Sequence, residues 1–113
     1  MKQVDKIPLA ELKEMAEKMY GNMVKADVDV AQKIMVVDME MHADGEAYFL
    51  EKGSKQNDLW GINLHPAKYG SPEFVEFQSM INLRPSQGNM SRGVEDESIR
   101  KEIYEIVAGV VHE

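Results

Sequence analysis

The sequence predicts an α+β domain, and three observations predict it. Apolar residues recur at helical spacing at both ends of the chain, they alternate with polar residues in four segments between, and the gap joining the first two alternating segments is too short for a parallel crossover. The predicted order is helix–strand–strand–helix–strand–strand–helix. It implies a largely antiparallel four-stranded sheet with helices packed on one face.

The first helix runs from Pro8 to Tyr20, with Leu9, Leu12, Ala16 and Met19 on its apolar side. Pro8 suits the first turn, and Gly21-Asn22 supplies a left-handed stop. From Val24 the period becomes two: Val24, Ala26, Val28 and Val30 alternate with Lys25, Asp27 and Asp29. After Ala31, Gln32 and Lys33 a second strand follows, Ile34 to Met41, with Met35, Val37, Met39 and Met41 on one face and Asp38, Glu40 and His42 on the other. Asp44-Gly45 permits a hairpin. The polar run after Gly53 reads better as a helix exit, so a short helix capped by Asp44, with Ala43, Ala47 and Leu50 inward, is the preferred element.

Asp58 to Leu64 alternates again, with Trp60, Ile62 and Leu64 on the core side. After a loop holding Pro66 and Pro72, Val75, Phe77, Ile81 and Leu83 mark a longer strand that Arg84-Pro85 ends. The last helix turns Ile99, Ile103, Ile106, Val107 and Val110 inward, with Asp96 and Glu97 at its favourable N-terminal end.

The chain has 113 residues, which suits a single domain over 1–113, and it carries a net charge of −7. That charge makes nucleic acid an unfavourable partner. There is no cysteine, which excludes disulfides, thiolate metal sites and a cysteine nucleophile. No run approaches the roughly 20 apolar residues that span a bilayer, and the polar N-terminus has no signal-like apolar region, so a cytoplasmic protein is expected. Phosphate-binding, dinucleotide, nucleophile-elbow, zinc-protease and EF-hand motifs are absent, and no cofactor is specified.

Three features carry candidate chemistry. From Phe77 to Val94 there is no Asp or Glu, although the chain holds 20 acids, and Arg84 and Arg92 lie inside that window. Gln87, Asn89 and the glycines Gly88 and Gly93 accompany them, and the loop leads into a helix N-terminus. That composition suits an anion. Next, the polar sheet face carries Asn63, His65, Gln78, Asn82 and Arg84 where a solvated face would carry Lys, Glu and Thr, a choice that suits a small polar ligand. Finally, Asp38, Glu40, His42, Asp44 and Glu46 occupy every second position, and on a strand neighbouring pairs would share a divalent ion such as Mg²⁺ or Mn²⁺.

Three stretches taken together, His42-Ala43-Asp44 with Glu46, Gly53-Ser54 with Trp60-Gly61, and Ile81-Asn82-Leu83-Arg84-Pro85 with Gln87, Asn89 and Ser91, resemble a family of small bacterial and archaeal proteins of unknown function. The resemblance covers nearly the whole chain. Members carry a residue other than glycine at the position of Gly45, which implies a helix after His42 rather than a hairpin. No activity, substrate or cofactor comes with it.

The leading functional expectation is a small-ligand or anion-binding domain with its site between the polar sheet face and the Arg84–Arg92 loop. Arg84 and Arg92 would hold the anionic group, and Asn63, Asn82, Gln87 and Asn89 would orient the rest. A second expectation is a metal-assisted hydrolase in which Glu40, His42 and Asp44 hold the ion and Glu46 is the general base. A third is a non-catalytic homodimer that pairs through Met-rich surface or an exposed strand edge.

Overall fold

The alternation after Val24 forms strand β3 (Val24–Asp29), which pairs antiparallel with β4 (Ile34–Val37) on one side and β5 (Leu59–Leu64) on the other, in a computed structural model that describes all residues from Met1 to Glu113. Two short strands that the sequence does not announce extend the sheet, β1 (Lys2–Val4) beside β4 and β6 (Val75–Glu76) beside β5. The sheet is therefore five-stranded and antiparallel, in the order β1-β4-β3-β5-β6. A separate parallel pair joins β2 (Ile7–Pro8) to β7 (Val111–His112) and ties the two ends of the chain together.

Helices α1 (Leu9–Met19) and α3 (Glu97–Val110) form where the 3.6-residue spacing predicts them. Gly21 stops α1 with φ 90°, and Asp96 caps α3 by accepting from the Ser98 and Ile99 amides. Both helices pack on the sheet face that carries Val24, Ala26, Val28, Met35, Val37, Trp60, Ile62 and Leu64, in an apolar cluster of 20 buried residues that includes Leu12, Ala16, Ile103 and Val107.

Helix α2 (His42–Glu51) confirms the helical reading of that segment and corrects its placement. It lies on the opposite face, where Phe49 joins Val36, Met39 and Leu59 in a small cluster of 4 buried residues. The sheet is thus covered on both sides rather than on one. Ala43, Ala47 and Leu50, expected inward, are exposed, and His42, Gly45 and Phe49 are buried instead. The rotation follows from a close approach. A Cβ on Gly45 would lie 2.9 Å from the Asp27 Cγ and the Met39 Sδ, so in this chain the glycine lets α2 sit directly against these two side chains.

Two other expectations change. Strand β4 stops at Val37 because Asp38 takes φ 68°, which turns Met39 toward the α2 face and leaves Met41 exposed. The longer strand expected across Val75 to Leu83 ends at Glu76. Beyond it the chain crosses the α2 face of the sheet in short 3₁₀ turns at Met80–Asn82 and Pro85–Gln87, leaving Leu83 exposed and Ile81 only partly buried.

Candidate functional site

The face beneath α2 buries polar groups. Asp27, Asp29, His42, Asn63, Ser79, Asn82, Arg84 and Asn89 are all at most 9% exposed, so each must find partners within the fold.

Most do. The Asn82 side chain accepts from the Gly61 amide at 2.8 Å and donates to the Gly61 carbonyl at 2.9 Å, standing in for the missing neighbour strand along that stretch of β5. It also donates to the Arg92 carbonyl at 3.0 Å. Asn89 donates to the Asn82, Ser91 and Gly93 carbonyls and accepts from the Glu95 amide, which ties the loop to the start of α3. Gln87 donates to the Asn57 carbonyl. These three amides, expected to orient a ligand, spend their hydrogen bonds on backbone.

Arg84 is buried with its guanidinium 4.1 Å above the Trp60 ring, and its Nη1 donates to the Gln56 carbonyl. Its Nε and Nη2 have no partner. Burial lowers its pKa from the usual arginine value, while the carboxylates of Glu46 and Asp58 pull it back up. Arg84 and Arg92 do not line the same cleft: Arg92 borders one that Arg84 does not. A concavity of about 290 Å³ beside the loop is lined by Gln87, Gly88 and Asn89, but also by Glu95 and Asp96, so its rim is acidic.

The proposed metal set is dispersed as well. With β4 ended at Val37, the alternation from Asp38 to Glu46 no longer lies on a strand. Glu40 is exposed, Asp44 turns its carboxylate back onto the Met41 amide at 3.2 Å, and the His42 Nε2 faces the Ile62 carbonyl at 2.9 Å. No three His, Asp or Glu side chains gather closely enough to hold an ion.

Arg92 and Asn63 do line one cleft, of about 330 Å³, between the start of α2, the beginning of β3 and the paired end of β5 at Lys25 and Asn63, and the Gln78–Ile81 turn. The charged or titratable side chains lining it are Lys25, His42 and Arg92, with no carboxylate among them. Gln78 and Ser79 complete the polar part; Met23, Met41, Ala43, Met80 and Ile81 form the apolar part. Gly61 makes the floor possible, because a Cβ there would meet the Ser79 Oγ at 2.6 Å and the His42 Cδ2 at 3.0 Å.

Desolvation is the main cause that lowers the His42 pKa, so the ring is neutral near pH 7, and the positive charge of Lys25 lowers it further against the opposing pull of the Ile62 carbonyl and the Asn63 side chain. Asn63 is held by its Nδ2, which donates to the Glu76 Oε1 at 2.9 Å and the Gln78 carbonyl at 3.2 Å, while its buried Oδ1 has no partner. Lys25 was not singled out by sequence, since it reads as an ordinary outward residue of an alternating strand. The signal available was that it is the sole cation on the polar side of β3, beside Asp27 and Asp29.

Fold and cleft together define an α+β protein whose second sheet face is a buried polar layer opening at one point into a cationic cleft. The chain belongs to the family described as protein of unknown function DUF5674, which matches residues 3–110. No curated protein and no solved structure matches it. No helix is long and apolar enough to cross a membrane.

Proposed function

We propose that this protein binds a small anionic ligand in the cleft between α2, the polar sheet face and the Gln78–Ile81 turn, with Lys25 and Arg92 as the charged contacts. The observation that carries the reading is the sign of the cleft: on a chain of net charge −7, a concavity lined by two permanent cations and no carboxylate is a local reversal of the molecular field. A reversal of that kind concentrates anions at one place on a surface that otherwise repels them. The free backbone amides at the start of α2, beside His42 and Ala43, add partial positive charge to the same wall.

Calorimetric titration with phosphate and with acetate at low ionic strength tests this. Saturable binding is expected, weakening as salt is added because Arg92 is exposed and its charge is screened. Lys25→Glu and Arg92→Glu should each abolish it. Binding that survives both substitutions would place the anion elsewhere and remove the proposal.

A further inference from the structure

Resting on the anion-binding reading, the geometry points to one ligand class: we infer that the cleft takes a small organic acid with an apolar body, rather than an inorganic anion or a phosphorylated sugar.

Few polar groups of the cleft remain free to meet a ligand. A sugar phosphate presents several hydroxyls, and a site that recognises one needs free donors and acceptors at fixed positions. Here most of the fixed polar atoms are already engaged. The Asn63 Nδ2 is shared between Glu76 and the Gln78 carbonyl, the Ser79 Oγ accepts from the Ile81 amide, and the His42 Nε2 faces the Ile62 carbonyl. The Asn63 Oδ1 is unpartnered but fully shielded, and Gln78 is an exposed amide with no side-chain hydrogen bond to fix it.

What the cleft does offer freely is apolar. Five of its eleven lining residues are hydrophobic, three of them methionines. Met41 and Met80 are each 61% exposed, and both line the cleft. Flexible thioethers there can close over an aliphatic or aromatic group of variable shape. Lys25 and Arg92 can both reach a carboxylate held in the cleft, and His42, kept neutral by desolvation, adds no permanent charge. One acidic group on an apolar body satisfies both halves of the wall.

The test titrates the whole protein with four probes: 3-phenylpropanoate, its uncharged amide, inorganic phosphate and glucose 6-phosphate. The inference expects 3-phenylpropanoate to bind at least tenfold more tightly than each of the others. Met41→Gln and Met80→Gln, at exposed positions that leave the fold intact, should each weaken 3-phenylpropanoate several-fold and leave phosphate unchanged. Should phosphate or glucose 6-phosphate bind as tightly as 3-phenylpropanoate, or should both methionine variants bind it like wild type, the ligand class is wrong while anion binding stands. Equal binding of the amide and the acid, or no binding by any probe, overturns the anion reading itself.

Discussion

The two faces of one sheet are buried to similar depth by opposite chemistry. Under α1 and α3, β5 presents Trp60, Ile62 and Leu64 to a continuous apolar cluster; one residue over, Leu59, Gly61 and Asn63 face α2 and the 77–93 loop, where the apolar cluster has only 4 members and the remaining contacts are amide, carboxyl, imidazole and guanidinium groups. The first face supplies stability through area removed from water. The second fixes positions, because each buried polar group must be met by a partner at a set distance and angle.

The polar face is itself divided, as two aspartates on β3 show. Asp29 accepts from the Ala31 and Gln32 amides, the Gln32 side chain and the Ser54 hydroxyl. Asp27, two residues away and equally buried, has no partner for either oxygen. Its pKa is pushed up to about 9, first by desolvation and then by the charges of Glu46 and Asp44, with only the Glu46 amide pulling down. Asp29 is a structural cap for the turn after β3, whereas Asp27 is a neutral acid at pH 7 held in place by the packing of α2.

The largest effect that would sharpen this contrast belongs to the apolar face. Ile62→Ala removes a side chain that is 0% exposed and should cost about 2–5 kcal/mol in urea unfolding, without changing anion affinity in molecules that remain folded. A loss below 1 kcal/mol, or a change in affinity, would mean that the two faces are not separable.

On the opposite face Asn82→Ala leaves the Gly61 amide and carbonyl without their side-chain partner, at roughly 1–3 kcal/mol for each buried group left unpaired. Hydrogen exchange offers a second readout, since the Gly61 amide should lose protection more than its neighbours Trp60 and Ile62. Uniform loss along β5 would show that Asn82 is not a local bracket.

This bracket also explains how much was legible beforehand. The α+β class, the three helices and the pairing of β3 with β4 were readable because periods of 3.6 and 2 report one apolar face each. Strands β1, β2, β6 and β7 were not, since two or three residues carry no period. The strand expected through Phe77, Ile81 and Leu83 failed because alternation alone does not reveal that the Asn82 side chain takes the hydrogen bonds a strand would make. The amide-rich polar face was visible as an anomaly, yet Asn82, Gln87 and Asn89 serve backbone rather than a ligand. Lys25 and Arg92, 67 positions apart, become neighbours only through tertiary structure.

A smaller effect, with a distinctive pH signature, is expected at Asp27. An ordinary carboxyl value of 3.8 in the unfolded chain against about 9 in the folded protein means that folding takes up a proton between those values. This group's contribution is most favourable below pH 4 and deteriorates as pH rises toward 9. Asp27→Asn should therefore gain on wild type with increasing pH, by at most about 1.4 kcal/mol per unit, when urea midpoints are compared at pH 5, 7 and 8.5. A difference independent of pH would show that Asp27 is ionised in the folded state.

The cationic cleft is tested most directly by following backbone amide resonances of the ¹⁵N-labelled protein during titration with 3-phenylpropanoate. Saturable shifts are expected at Lys25, His42, Ala43, Asn63, Ser79 and Arg92, and they should vanish in the Lys25→Glu and Arg92→Glu variants. Shifts centred instead on Trp60, Gln87 and Asn89, or none that saturate, would contradict the assignment of this cleft as the binding site.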